Sequence, residues 1–329
     1  MDLFNSALGK NITFVRPAYF IVRGFIGIPN AEYYYIFLLF VYIVSVLGNT
    51  SVMALIYLDH NLRTAKYVAV FNLAFVDLLG STVLVPKVID IFLFNHYNVP
   101  YNECLTFLFF CFTCLSMQAL NLVVLCYDRL VAIMFPLHYQ VRVTPKIMLS
   151  IILSSWLFVI AAILTLAGLL TRLSFCKSVV IDSYFCDHGP IYKLACNDNS
   201  PSLIIGNLLI VIILWIPLVI IMSSYVCIGH ALVKISTPQE RVKAFKTCTA
   251  HLSLVGIYFI PILITFIKVI NVHPNVRIIN LSLTSVIPPV LNPIVYVLQT
   301  QEIKASFRKI VQSRMQLKVT ESSNVNARF

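Results

Sequence analysis

The most constraining feature of the chain is a set of long stretches without a charged side chain: Tyr33 to Leu58 (26 residues), Cys104 to Tyr127 (24), Ile147 to Thr171 (25), Asn199 to Val233 (35), Thr247 to Ile267 (21) and Ile278 to Gln301 (24). A seventh, Tyr67 to Pro86, is broken only by Asp77. About 30 Å of hydrocarbon is crossed by roughly 20 residues rising 1.5 Å each, so each stretch is long enough to span. Lipid-facing backbone must bond to itself, and these runs are too long and too little alternating for barrel strands, so they read as helices. Only 11% of the 329 residues are charged, against about a quarter in a water-soluble domain. A soluble enzyme is thereby excluded. The expected fold class is an all-α membrane protein, a seven-transmembrane-helix bundle. Its helices should cover about 33–58, 66–93, 101–135, 146–171, 200–233, 243–270 and 275–298, after an N-terminal segment 1–32 and before a tail 299–329.

Seven crossings put the chain ends on opposite sides of the membrane. Fifteen of the 24 Lys and Arg residues fall on the C-terminal side, which makes that side cytoplasmic and the N-terminus extracellular. The net charge of +11 is then mostly a juxtamembrane feature, and no nucleic-acid partner is expected. Residues 1–31 lack a sustained apolar core, so the first helix should serve as the insertion signal. An outside N-terminus makes Asn11-Ile12-Thr13 a glycosylation acceptor, whereas the same pattern at Asn49 and Asn280 lies inside apolar spans.

With that topology, Cys104, Cys176, Cys186 and Cys196 share the oxidising face. Four thiols invite two bridges, and spacing alone leaves three pairings open. The other five cysteines lie within or near spans, where packing outweighs thiol or metal chemistry; no metal and no cofactor is expected. An ionised group at bilayer depth must face the bundle interior and find partners. Asp77 is that group, with Asn49, Gln118 and Asn292 at comparable depth to converge on it. Asp128-Arg129 ends the third helix on the cytoplasmic side, where the Arg could lock a resting state. Pro86, Pro217, Pro261, Pro288, Pro289 and Pro293 interrupt four helices and supply hinge points.

Taken together, these residues resemble the rhodopsin-like G-protein-coupled receptors. The resemblance runs through Gly48-Asn49, Leu73-Ala74-Phe75-Val76-Asp77, Asp128-Arg129, Trp156, Pro217 with Tyr225, and Asn292-Pro293-Ile294-Val295-Tyr296. Within that family the chain is similar to odorant receptors, through Leu62-Arg63-Thr64-Ala65-Lys66-Tyr67, Tyr127 to Ile133 with Pro136-Leu137-His138-Tyr139, the three loop cysteines, Lys243 to Cys248 with His251-Leu252, and Pro289 to Pro293. The resemblance implies that Cys104 pairs with Cys186 and Cys176 with Cys196. It also implies a small-molecule odorant as ligand and a stimulatory, olfactory-type heterotrimeric G protein as partner, raising cyclic AMP at the plasma membrane.

There are departures from the family pattern. Leu130 follows Asp128-Arg129, Gln118 stands where odorant receptors often carry an acid, Tyr258-Phe259 reverses a usual pair, and Pro261 is an addition. Gln118 puts a sodium site at Asp77 in doubt. Where amine receptors carry an acid this chain has Cys111, and where opsins carry a Schiff-base lysine it has Val286.

A ligand pocket in such a bundle should lie in its outer half. Helical spacing puts Cys111, Leu115 and Gln118 on one stripe of the third helix, with Phe112 and Ser116 beside it. Leu209, Ile210 and Ile213 of the fifth helix and Phe259, Ile262 and Phe266 of the sixth should face them. This lining suits small, neutral, mostly hydrophobic molecules oriented by one hydrogen bond from Ser116. Filling it should move the inner end of helix six, near Lys243, and open a cleft for the G protein beside Arg129, Tyr225 and Tyr296. Ile303, Phe307 and Ile310 recur at helical spacing among basic residues and read as a short amphipathic helix on membrane lipids.

The alternatives are a rhodopsin-like receptor for a lipid or peptide, or a transporter. A transporter should show repeats or several mid-span acids, and an intramembrane enzyme an HExxH or GxSxG motif; the sequence shows none of these.

Overall fold

The computed structural model describes residues 15–176, 178–234, 237–266, 273–299, 302–306 and 308, with the backbone alone for Glu240, Lys243, Phe266 and residues 297–299. Asn11, Phe307, Lys309 and Ile310 therefore lie outside the described residues, as do the side chains of Lys243 and Phe266.

Among the described residues, seven helices are long and apolar enough to cross a membrane: Glu32–Leu58 (α1), Ala65–Phe92 (α2), Tyr101–Met134 (α3), Pro145–Leu170 (α4), Ser200–Lys234 (α5), Pro238–Phe266 (α6) and Pro274–Gln299 (α7). Local chemistry sets several ends. Thr144 accepts a hydrogen bond from the Ile147 amide (3.2 Å) while Pro145 occupies the first helical position, a start signal for α4. Phe135 precedes Pro136 and is pushed off helical geometry, which stops α3. The sixth helix begins at Pro238, five residues ahead of the expected 243, because a proline with its fixed φ suits a first turn.

The interior prolines leave α2, α6 and α7 unbroken. In α5, Pro217 brings no N–H and its ring would strike the Ile213 carbonyl. The chain responds with a wider π turn at Val211–Trp215.

The bundle is apolar outside as well as inside. On α1, α4 and α5, Phe40, Leu157, Val219 and Val226 are 61–73% exposed, a surface that hydrocarbon accepts and water does not. The third helix occupies the centre and is the most buried of the seven. Polar side chains fix its neighbours: Trp156 Nε1 donates to Asn72 Oδ1 (3.0 Å), and Asn72 Nδ2 donates to Asn121 Oδ1 (2.6 Å), tying α4 to α2 and α2 to α3. In a low-dielectric interior such bonds are hard to replace.

One end of the bundle carries both disulfides, the other Arg129. At the disulfide end a three-stranded sheet covers the helices. Strand β1 (Tyr19–Val22) pairs antiparallel with β2 (Asn98–Pro100) and parallel with β3 (Val180–Ile181). The strand forms because Phe20, Ile21 and Val22 suit a pleated surface and are buried there. Gly24, at φ 68°, turns the chain, and the Asn275 side chain brackets Ile26, accepting from its amide (2.9 Å) and donating to its carbonyl (2.8 Å). At the Arg129 end, residues 302–306 are helical after α7. Ile303 is buried there in a cluster with Leu55 and Leu62.

Candidate ligand cavity and helix lock

The disulfides pair Cys104 with Cys186 and Cys176 with Cys196, at Cα separations of 5.4 and 5.7 Å. The first fastens the loop after α4 to the start of α3; the second closes that loop on itself. Between them sits a short helix, His188–Lys193, capped by Asp187 Oδ1 accepting from the Gly189 amide (3.3 Å). Together with β3 this loop roofs a cavity of about 620 Å³ bounded by α3, α4, α5, α6 and α7.

Seven of the ten residues expected for the pocket line this cavity: Phe112, Leu115, Ser116, Leu209, Ile210, Ile213 and Ile262. Two described ones do not. Cys111 turns toward a separate, water-sized cavity with Cys114, Gln118, Tyr184 and Ser285. Phe259 is buried in the packing of α3, α5 and α6, while its neighbour Tyr258 lines the main cavity and donates to the Leu115 carbonyl (2.6 Å). One helical residue is about 100° of azimuth, so spacing alone could not choose between adjacent aromatics.

The roof adds lining that spacing did not anticipate: Phe185, Asp187, His188, Tyr192 and Arg277. Arg277 Nη2 lies 2.5 Å from Asp187 Oδ2, joining the start of α7 to the loop. Burial lowers the His188 pKa to about 4, so the ring is neutral. The only sequence signal for this group was the adjacency of Asp187 and His188 to Cys186. Among the described residues, no group of three His, Cys, Asp or Glu could hold a metal.

Below the cavity, Asp77 is fully buried and accepts from Gln118 Nε2 (2.8 Å) and Asn292 Nδ2 (2.6 Å). The expected third partner goes elsewhere: Asn49 Nδ2 donates to the Pro289 carbonyl (2.7 Å) and to Ser45. Pro293 in α7 has no N–H to give its own helix, and Pro289 sits four residues earlier, so the Pro289 carbonyl is left without that partner. Asn49 supplies it.

Toward the far end, His251 of α6 joins two helices, its Nε2 3.1 Å from the Leu122 carbonyl of α3 and its Nδ1 2.8 Å from the Tyr225 hydroxyl of α5. Asp128 is buried, accepts from the Tyr139 hydroxyl (2.6 Å) and has Arg129 Nε 3.7 Å away. Burial and the Asp128 bond raise the Tyr139 pKa, keeping the phenol protonated as donor. Tyr296 packs at the same end against the Val52–Leu73 cluster. His251 had appeared in the sequence only as part of a motif; its cross-helix role needs the relative rotation of α3, α5 and α6.

A seven-helix membrane bundle with a disulfide-roofed cavity at one end and polar cross-helix contacts toward the other is the architecture of a seven-transmembrane receptor. A family model described as "Olfactory receptor" matches residues 38–314. Curated relatives include Olfactory receptor 1 of Rattus norvegicus (33% identical, covering 88% of this chain and 94% of that one) and Olfactory receptor 1E16 of Mus musculus (32%, 88% and 94%). Olfactory receptor 2AT4 of Homo sapiens is 30% identical over 89% of this chain and 92% of its own. The chain belongs to the olfactory receptor family.

Proposed function

We propose that this protein is an odorant receptor of the plasma membrane, with its disulfide end outside and its Arg129 end in the cytoplasm. It binds small, mostly hydrophobic molecules in the cavity and activates a stimulatory, olfactory-type heterotrimeric G protein, raising cyclic AMP. The observation that carries this reading is the juxtaposition of α3, α5 and α6: the helices that wall the cavity with Leu115, Ile210, Ile213 and Ile262 are those that His251 joins further down. A ligand shifts a resting equilibrium only by its preference for one arrangement, and one that wedges the cavity walls apart acts on the same three helices. Burial at about 25 cal/mol per Å² supplies the affinity, and the buried Ser116 hydroxyl orients the ligand.

An odorant panel read through cyclic AMP in cells expressing the parent, Arg129→Ala and Ser116→Ala tests this. Agonists should act on the parent, fail with Arg129→Ala despite equal surface display, and weaken selectively with Ser116→Ala. Equal cyclic AMP from the parent and Arg129→Ala would overturn the switch assignment.

A further inference from the structure

The apolar walls of the cavity end against a charged roof. Among the described residues four charged side chains line the cavity, Asp182, Asp187, Lys193 and Arg277. Asp182 is paired with Arg23 (3.1 Å) and Asp187 with Arg277 (2.5 Å). Lys193 has no carboxylate partner among the described residues, so this end of the cavity carries one uncompensated positive charge. The Arg277 guanidinium gives one nitrogen to Asp187 and bonds no other acceptor among the described residues. His188, 8% exposed and on the same wall, keeps Nε2 buried with no hydrogen-bond partner.

We infer that the cavity takes an amphiphile with a single carboxylate, its head on Arg277, Lys193 and His188 Nε2 and its apolar chain running down between α3, α5 and α6. This rests on the reading of the cavity as a ligand site, replaces the uncharged ligands expected from sequence, and moves the orienting contact from Ser116 to the roof. The charge count selects a monoanion: a phosphomonoester would bring more negative charge than the one spare cation balances. A zwitterion is disfavoured because its ammonium would have to compete for Asp187, which Arg277 already holds. The lining of α5 runs from Leu203 to Leu214, which at 1.5 Å per residue gives a depth of roughly 16 Å. A medium-length alkyl chain fits that depth.

The test uses the purified full-length chain in phospholipid nanodiscs, with radiolabelled decanoate displaced by unlabelled decanoate, 1-decanol or methyl decanoate, and empty nanodiscs as blank. Decanoate should displace about tenfold or more better than either neutral analogue, the worth of a charge-assisted hydrogen bond. Arg277→Gln should abolish that preference and Lys193→Gln reduce it. Asp187→Asn retains an acceptor for the Gly189 amide but frees the guanidinium, so it should bind decanoate several-fold more tightly than the parent, a gain that a misfolded protein cannot produce. Equal displacement by all three compounds, or a preference that survives Arg277→Gln, overturns the inference. Saturable binding of radiolabelled decanol without decanoate binding also overturns it while leaving the cavity reading intact; saturable binding of neither sinks both.

Discussion

The two ends of the bundle are held together by different means. At the disulfide end, two covalent bridges, a three-stranded sheet, the Asn275 bracket and the Asp187–Arg277 pair bind the N-terminal segment, the loop and α7 into one roof. Toward the Arg129 end, α3, α5 and α6 are joined through single side-chain hydrogen bonds, chiefly those of His251. A typical hydrogen bond contributes roughly 0.5–1.5 kcal/mol and a disulfide roughly 2–4 kcal/mol. The contrast is one of cross-link strength: the roof is held covalently, while α3, α5 and α6 are held further down by bonds that each contribute little.

Removing the bridges tests the stiff end most severely. In the chain-entropy picture the 82-residue Cys104–Cys186 closure is worth about 4.5 kcal/mol and the 20-residue Cys176–Cys196 closure about 3.3 kcal/mol. Cys104→Ser should therefore lower thermal stability and surface display more than Cys176→Ser. The reverse order would show that the loop's internal closure, not its tether to α3, holds the roof. His251→Leu probes the other end. Losing both bonds should shift the resting balance by roughly 1–3 kcal/mol, about 5- to 150-fold. Basal cyclic AMP should rise, and unchanged basal signalling would remove His251 from the lock.

Acidity distinguishes the ends as well. Burial depresses the His188 pKa to about 4, so between pH 6.5 and 4 the unfolded chain takes up a proton that the folded roof refuses, and stability falls as pH falls. At pH 5 the loss should reach about 2 kcal/mol. Thermal unfolding across pH 4–7 measures it, and His188→Gln should flatten the curve. The smallest expected effect is that of Tyr139→Phe, which deletes one bond to Asp128 and should cost about 0.5–1.5 kcal/mol, read as a slight rise in basal signalling with the ligand response retained.

Legibility in the sequence divided along similar lines. The seven spans were readable because hydrocarbon thickness imposes a length that charges delimit, and Asp77 because an acid at that depth must be enclosed. Its partnership with Gln118 and Asn292 followed from depth alone; Asn49 departed because Pro293 leaves the Pro289 carbonyl needing a donor, a demand of backbone rather than of charge. The cysteine pairing was not fixed by spacing and came from resemblance. The sheet was invisible because Tyr19–Val22 finds its partners some 80 and 160 residues away; short strands joined over such separations leave no local period. Apart from the adjacency of Asp187 to Cys186, nothing in the sequence singles out Arg277 or Asp187, because their pairing depends on the roof bringing the loop onto the start of α7. Tyr258 and Phe259 exchanged places because a single step along a helix is a large rotation.

The wide turn at Val211–Trp215 sets how the two halves of α5 are oriented relative to each other. Above it, Leu209 and Ile210 face the cavity; below it, Tyr225 faces His251. Both aims depend on one surplus residue in the coil, and excising it would swing the lower half by about 100° relative to the upper. The fifth helix is thus two blades keyed on one shaft, and the turn is the key that keeps the cavity wall and the Tyr225–His251 contact in phase.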